Sequence, residues 1–197
     1  MEFVLASGSE SRRRLLAAAG VAFTAIPAQV DEDALKAELS RVGTPPRDVA
    51  GRLAEAKALH VSQIHPSALV LGADQTLLLD AAIVSKCPDL AAARHLLRQL
   101  RSREHQLVGG YVLARSGTVL WRHGETATLV MRDFSDAFLD DYLAREGEDV
   151  LSAVGCYKLE GLGAQLFACI EGDYFSILGL ALLPLLAELR KQGVSKT

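Results

Sequence analysis

The stretch that decides the fold stands at the start of the chain and reads FVLASGSESRRRLL, from Phe3 to Leu16. Its apolar opening predicts a short buried strand, and Ser9 is suited to cap a helix that Gly20 would end. The free backbone N–H groups of such a helix start, with serines and arginines beside them, form a site for phosphate. The alternative is a solvated basic helix face, which is the commoner role of an arginine run.

Strand and helix signals alternate along the rest of the chain. Helices are predicted over residues 33–42, from Pro45-Pro46 onward, and over residues 89–100, 135–147 and 182–192. Strands are predicted over residues 21–27 and 68–71, as a pair over 76–85, as a hairpin over 105–132 turning at Ser116-Gly117, and with glycine breaks over 154–178. The sequence therefore predicts an α/β fold in one domain, residues 1–197, made of two closely packed lobes without a separable linker.

The composition limits the class of protein. Half of the 197 residues are apolar and 23% are charged, which excludes disorder and fibre. The longest apolar runs are too short to span a bilayer, and no basic region precedes the first apolar residues, so we expect no membrane and a cytoplasmic location. The net charge of −3 argues against nucleic acid as a partner. Cys87, Cys156 and Cys169 have no paired spacing and are expected to be buried, reduced thiols.

Lys57 stands in the middle of an apolar helical row. The row comprises Ala50, Leu53, Ala54, Lys57, Ala58 and Val61. A cation at that position either contacts a phosphate or extends its ammonium past the edge of the helix into water, and the spacing leaves both alternatives open.

Asp74 stands shortly after the apolar run of residues 68–71 and two residues after the flexible Gly72. Ligands of α/β proteins gather at the carboxyl ends of strands, where a carboxylate can hold Mg²⁺ or orient a water, although a loop aspartate more often caps a turn. Gln75, Glu32 and Lys86 raise the same question with weaker local signals. The common phosphate-loop, dinucleotide and nucleophile-elbow motifs do not occur.

Taken in order, these segments resemble the Maf (septum-formation) family over residues 5–189. The matching segments are Leu5-Ala6-Ser7-x-Ser9 with Arg12, Val30-Asp31-Glu32, Ala56-Lys57-Ala58, Leu71-Gly72-Ala73-Asp74-Gln75, Lys86, His105, Gly155-x-Tyr157-x-x-Glu160-Gly161, Gly172-Asp173-Tyr174 and Gly179-Leu180. Each segment alone is weak, but all of them in order are specific.

The resemblance implies a mixed sheet with flanking helices, a nucleotide-binding cleft between two lobes, and hydrolysis between the α and β phosphates of a nucleoside triphosphate. It also implies a divalent cation, Mg²⁺ or Mn²⁺, and a homodimer. Lys57 and Lys86 would clamp the triphosphate together with Ser7, Ser9, Arg12 and Arg13. Asp74 and Glu32 would hold the metal or activate the attacking water, and the sequence does not separate these two tasks.

Gln75 and Glu160 bear on the choice of nucleotide. Many family members carry threonine and glutamine at these positions, and the pair present here resembles the subgroup that acts on 7-methyl-GTP. A carboxylate can accept from guanine N1–H and the N2 amine, and N7 methylation makes the base cationic. The alternatives are dTTP, UTP or another nucleotide, and a Glu160 that is only a solvated acid.

The sequence departs from the family pattern at three places, the start of the first helix and two loops. Ser9-Glu10-Ser11-Arg12 replaces Ser-Pro-Arg-Arg, so Glu10 would repel phosphate unless it points outward, and Cys87 and Ala181 replace prolines. These changes leave a competing hypothesis from another class, a nucleotide-binding regulator of cell division with little catalysis. Retention of Lys57, Lys86, Asp74 and Glu32 favours the enzyme.

Overall fold

The computed structural model describes residues 2–194, and in that part of the chain it has seven strands and seven α-helices. The strands are β1 (Phe3–Leu5), β2 (Thr24–Ala25), β3 (Leu69–Leu79), β4 (Ala82–Val84), β5 (Glu104–Arg115), β6 (Thr118–Met131) and β7 (Phe167–Glu171). The helices are α1 (Glu10–Ala18), α2 (Glu32–Arg41), α3 (Pro46–Ile64), α4 (Leu90–Leu100), α5 (Asp136–Glu146), α6 (Tyr174–Ile177) and α7 (Leu182–Lys191). Short 3-10 helices occupy Gly147–Ser152 and Leu162–Leu166.

The strands form one mixed sheet in the order β2-β1-β3-β5-β6-β7, with β4 paired to β3. Strand β1 runs parallel to both β2 and β3, whereas β4 is antiparallel to β3 and β7 is antiparallel to β6. A seven-stranded mixed sheet flanked by helices confirms the predicted α/β class.

The described chain divides into two compact units. The first contains residues 2–75, 109–125 and 174–194, and the second contains residues 76–108 and 126–173. Strands β3, β5 and β6 contribute residues to both units.

In the first unit, the alternation of side chains along the strands builds an apolar layer on each face of the sheet. One layer joins Phe3, Leu5, Leu69 and Leu71 to Leu16 of α1 and to Leu185 and Leu189 of α7. The opposite layer joins Val4 and Val70 to Val61 of α3, and Val112 of β5 to Ala54 and Ala58 of α3. Helices α1 and α7 therefore cover one face and α3 covers the other.

Glycine allows α3 to lie directly on β3 and β5. A Cβ atom on Gly72 would lie 2.0 Å from the carbonyl oxygen of Ala54, and a Cβ on Gly110 would lie 2.4 Å from the backbone nitrogen of Gly51. A larger residue at either position would push the helix off the sheet. The close approach fixes the turn of α3 that carries Lys57 against the middle of β3.

Most predicted element boundaries are confirmed. Ser9, Asp89 and Ser135 each cap a helix through a side-chain oxygen, at α1, α4 and α5 respectively. The β5–β6 hairpin turns at Ser116-Gly117, and both residues have positive φ.

Two strand predictions were wrong. Strand β3 does not end before Asp74; it continues through Gly72 to Leu79, because this glycine serves helix packing and does not break the strand. Residues 154–178 contain only one strand, β7, together with a 3-10 helix and α6. Turns at residues 154–155 and 159–161 replace the other strands.

In the second unit, arginines of α4 pair with aspartates of α5. Arg94 contacts Asp140 at 2.7 Å and Asp136 at 3.8 Å, and Arg98 lies 3.5 Å from Asp136. These pairs are on the surface, and each contributes little to stability.

Cys156 is buried and Cys87 is half-buried, whereas Cys169 is exposed, so the expectation of three buried thiols was wrong for Cys169.

No helix among residues 2–194 combines the length and the apolar character that a membrane span requires.

Candidate active site

The serine and arginine side chains at the start of α1 form a buried hydrogen-bonded group in the first unit. Arg12 donates from Nε to the carbonyl oxygen of Gly179 at 2.8 Å and from Nη1 to Ser7 Oγ at 3.0 Å. Ser7 Oγ also accepts from the backbone N–H of Ser9 at 3.2 Å. Ser7 and Arg12 are 7% and 8% exposed, so this arginine is not part of a solvated face.

Arg13 lies apart from that group. It is exposed and pairs with Glu10 at 3.5 Å. The pair answers the question raised by Glu10, because an exposed acid beside an arginine repels phosphate less than an unpaired one at the helix start.

Lys57 joins two of the predicted acids. Its Nζ lies 2.6 Å from Asp74 Oδ1 and 2.8 Å from Glu32 Oε1. The ammonium is buried, as is Asp74, whereas the Glu32 side chain is 42% exposed. The alternative in which Lys57 extends past the helix edge into water is therefore excluded. Three residues far apart in the sequence form one cluster with two negative charges and one positive charge.

Local structure explains which acid of the Val30-Asp31-Glu32 segment joins the cluster. Asp31 caps α2, accepting from the backbone N–H of Ala34 at 2.9 Å, so its carboxylate is occupied at the helix start. Glu32 is the first residue of α2 and reaches Lys57. Asp74 faces α3 because it shares the side of β3 occupied by Val70 and Gly72.

The two carboxylates limit how a metal could be held. No group of three or more His, Cys, Asp or Glu side chains suited to a metal occurs among the described residues. Mg²⁺ often binds proteins through one or two carboxylates and completes its shell with water and substrate phosphates. Asp74 and Glu32 fit that mode, since both reach the same Lys57 Nζ.

Gln75 makes contacts on the other side of the strand from Asp74. Its Nε2 donates to the carbonyl oxygens of Ser176, at 2.8 Å, and Ile177, at 3.4 Å. The hydroxyl of Ser176 donates to Glu125 Oε2, and Glu125 Oε1 lies 3.0 Å from His123 Nε2. The Gln75 amide is thus engaged by the protein itself.

The roles of Ser176 and Glu125 were missed at the level of sequence. Glu125 had one usable signal, because His123 and Glu125 are two residues apart on a predicted strand and must share a face. Ser176 had none, since its partner Gln75 lies 101 residues away in the chain.

Lys86 and Glu160 belong to the second unit. Lys86 is exposed and follows β4, and Glu160 is exposed in the turn before the second 3-10 helix. Their assigned contacts with substrate remain predictions.

The segment before Glu160 is fixed by a buried ring cluster. Tyr157 lies 2.8 Å, through its hydroxyl, from His105 Nε2, and its ring packs edge-on against Phe167 at 4.9 Å between centroids. Burial lowers the pKa of His105 to about 4, so its ring is neutral near pH 7. A Cβ on Gly155 would lie 2.2 Å from the Tyr157 ring. The Gly155-Cys156-Tyr157 segment is therefore one packed turn.

Comparison with known proteins gives a consistent result. The sequence model of the family described as "Maf-like protein" matches residues 2–192. A protein of Maricaulis maris named "Nucleoside triphosphate pyrophosphatase" is 50% identical over 98% of this chain and 97% of its own length. Proteins of Brucella abortus and Rhizobium meliloti, both named "7-methyl-GTP pyrophosphatase", are 49% and 50% identical over 98% and 96% of this chain and 96% of their own lengths.

Proposed function

Because the chain belongs to the Maf family, we propose that it is a nucleoside triphosphate pyrophosphatase, which releases pyrophosphate and a nucleoside monophosphate. The observation that carries the proposal is the buried Lys57 held between Asp74 and Glu32. A buried cation flanked by two acids suits phosphoryl chemistry, which depends mainly on positioning and on neutralising the charge of phosphate oxygens.

The phosphate-binding part of the proposed site is the start of α1. Backbone N–H groups at a helix start and the Arg12 guanidinium attract phosphate oxygens, and the Ser7 and Ser9 hydroxyls add hydrogen-bond partners. Ser7 follows β1 and Asp74 lies on β3, which is the parallel neighbour of β1. The residues proposed to bind phosphate and the acidic cluster therefore lie at adjacent strands, an arrangement common for α/β active sites.

In the proposed reaction, a water molecule attacks the α phosphorus of the triphosphate and loses its proton to a carboxylate, Asp74 or Glu32. The bridging P–O bond breaks and pyrophosphate leaves with the electron pair. Lys57 places a positive charge beside the acids, and Arg12 neutralises phosphate oxygens as charge moves onto the leaving group. A divalent cation, Mg²⁺ or Mn²⁺, held by Asp74 and Glu32 would add further neutralisation of the phosphates.

We propose 7-methyl-GTP as the preferred nucleotide. The support is the name of two relatives about half identical to this chain and the chemistry of Glu160, whose carboxylate suits a cationic base with two N–H donors. Other nucleoside triphosphates, dTTP and UTP among them, are the alternative, because further relatives at similar identity carry only the general name. We also expect a cytoplasmic protein that forms a homodimer and binds neither nucleic acid nor membrane.

The first experiment is product analysis of the purified protein with Mg²⁺ or Mn²⁺ and 7-methyl-GTP, GTP, UTP, dTTP and CTP, resolving pyrophosphate from phosphate. Pyrophosphate release that favours 7-methyl-GTP is expected. Release from pyrimidine nucleotides would keep the enzyme and discard the assignment of the base. Binding without turnover of any nucleotide would favour the alternative hypothesis of a nucleotide-binding regulator of cell division.

Asp74→Asn tests the catalytic cluster, with Asp33→Asn as the matched control. Asp33 is an exposed aspartate in the first turn of α2, so the same chemical change is made next to Glu32 but outside the cluster. Pyrophosphate release should fall by about 100-fold or more in Asp74→Asn and should stay unchanged in the control. Unchanged turnover in Asp74→Asn would refute the mechanism.

A further inference from the structure

The side chain of Gln75 has a fixed orientation in the structure. Carbonyl oxygens only accept hydrogen bonds, so the atom that meets the carbonyls of Ser176 and Ile177 must be the amide nitrogen. Gln75 and Asp74 are successive residues of β3, and their side chains point to opposite faces of the sheet. Asp74 contacts α3, whereas Gln75 contacts α6.

The Ser176 carbonyl connects Gln75 to the hydrogen-bonded Ser7 and Arg12 side chains at the start of α1. This oxygen also accepts from the backbone N–H of Gly179 at 2.9 Å. Gly179 has φ +106, and its own carbonyl oxygen accepts from Arg12 Nε at 2.8 Å. The path from the Gln75 amide to the Arg12 guanidinium therefore consists of two hydrogen bonds to the Ser176 oxygen, the single residue Gly179, and one hydrogen bond to the Gly179 oxygen.

The segment of residues 174–179 is also held by a contact from β6. The Ser176 hydroxyl donates to Glu125, and the other oxygen of that carboxylate contacts His123 Nε2. The His123 ring stacks on Trp121, with 5.4 Å between centroids and 3° between planes. The Glu125 carboxylate is thus held at both oxygens, and Ser176 itself is buried.

We propose that Gln75 and Glu125 are positioning residues for Arg12: they hold the turn of residues 174–179, whose last carbonyl aligns the guanidinium for the triphosphate. This inference rests on the proposed function, and it assigns Gln75 a task different from the one expected from the sequence. Gln75 then acts on the phosphates that all nucleotides share, and its removal affects every base equally.

The test measures binding, which does not require turnover. Calorimetry gives the Kd of inorganic pyrophosphate and of the α,β-methylene triphosphates of 7-methylguanosine, guanosine and uridine for the full chain. Gln75→Met and Glu125→Ala should each weaken pyrophosphate and all three nucleotides by a similar factor, about tenfold for lost hydrogen bonds that align a charged group. The preference among bases should not change.

Combination with Arg12→Ala separates positioning from a general effect on the fold. If Glu125 and Gln75 act through Arg12, their substitution in the Arg12→Ala background should change the Kd of pyrophosphate less than twofold. An equal loss with and without Arg12 would overturn the inference. A loss confined to one nucleotide would also overturn it, since Gln75 would then contact the base.

Three further variants test the Ser176 contact and control for folding and for charge. Ser176→Thr keeps the hydroxyl and should bind like the wild type, whereas Ser176→Ala should resemble Glu125→Ala. Glu55→Ala removes a carboxylate of the same unit with a similar exposure, 21% against 26% for Glu125, and should leave the Kd of pyrophosphate unchanged. A loss of affinity in Glu55→Ala equal to that in Glu125→Ala would contradict the inference.

Turnover of the wild type decides the proposed function separately. If the wild type binds pyrophosphate and the nucleotides but hydrolyses none of them, the proposed function is wrong, and the affinities still decide the role of Gln75. If it binds none of the four ligands, both are wrong.

Discussion

At the scale of single residues, Lys57 is the side chain whose position the sequence explained least and the structure explains best. A lysine in an apolar helix row is costly to bury unless its charge is matched. Asp74 and Glu32 match it at 2.6 and 2.8 Å. Because Lys57 also separates the two acids, its loss would leave two carboxylates facing each other with less compensation.

Replacement of Lys57 by methionine keeps most of the side-chain volume and removes the charge. We expect kcat for pyrophosphate release to fall by about 100-fold, because the proposed mechanism uses the positive charge of Lys57 beside the reacting phosphates. Lys36→Met is the matched control, since Lys36 lies on the neighbouring helix α2 and pairs loosely with Asp33 at 3.7 Å. Wild-type kcat in Lys57→Met, or an equal loss in the control, would contradict the assignment.

The lowered pKa of His105 predicts how the stability of the protein depends on pH. Burial lowers its pKa from 6.5 to about 4, so between these values the unfolded chain binds a proton that the folded chain excludes. The free energy of unfolding should therefore fall as pH falls from 6.5 to 4, by up to ~1.4 kcal/mol per pH unit from this group. Urea unfolding between pH 4.5 and 7.5 should show a shallower slope for His105→Gln than for the wild type. His95→Gln, which removes an exposed histidine of the same unit, controls for histidine removal, and an unaltered slope in His105→Gln would refute the prediction.

At the scale of elements, the packing of α3 on β3 decides whether Lys57 can contact Asp74. Gly72→Ala would place a Cβ atom 2.0 Å from the Ala54 carbonyl oxygen, so helix and strand must separate. We expect a loss of about 1–3 kcal/mol in the free energy of unfolding, as for other overpacked cores, and a fall in kcat as Lys57 moves away from Asp74. Gly51→Ala on the same helix meets nothing within 4 Å and should stabilise by about 0.5–1 kcal/mol. Chemical denaturation of both variants, with kcat alongside, checks the prediction, which fails if both behave alike.

The elements that the sequence predicted correctly are those with local signals. The local structure can be predicted from a few neighbouring residues at the capping serines, along the helical row of α3 and at the Ser116-Gly117 turn. The predicted strand end at Gly72 was wrong because a glycine in a strand marks either a break or the close approach of another element. Only the position of α3 distinguishes these two cases. The strands predicted over residues 154–178 were wrong because the turns in this segment are fixed by distant contacts such as that of Tyr157 with His105.

At the scale of the whole molecule, the sequence identified the residues of the candidate site better than their contacts. The resemblance placed Glu32, Lys57 and Asp74 in one site, and the structure brings those three together. It could not show that the Gln75 amide is already bound to Ser176, because that contact depends on how β3 and α6 meet. Family patterns preserve residue types, whereas hydrogen bonds between remote segments follow from the complete fold.

Ligand binding should appear in the stability of the entire chain. A ligand that binds only the folded state raises the free energy of unfolding by about 2.7 kcal/mol at 100 times its Kd. We therefore expect the α,β-methylene analogue of 7-methyl-GTP with Mg²⁺ to raise Tm progressively with concentration. Arg12→Ala should shift that dependence to higher concentration, because the proposed function assigns the guanidinium to the phosphate oxygens. Thermal unfolding followed by circular dichroism measures both curves. Equal curves for the wild type and Arg12→Ala would mean that the start of α1 does not hold the triphosphate, since linkage requires the Tm to follow the affinity of the folded state.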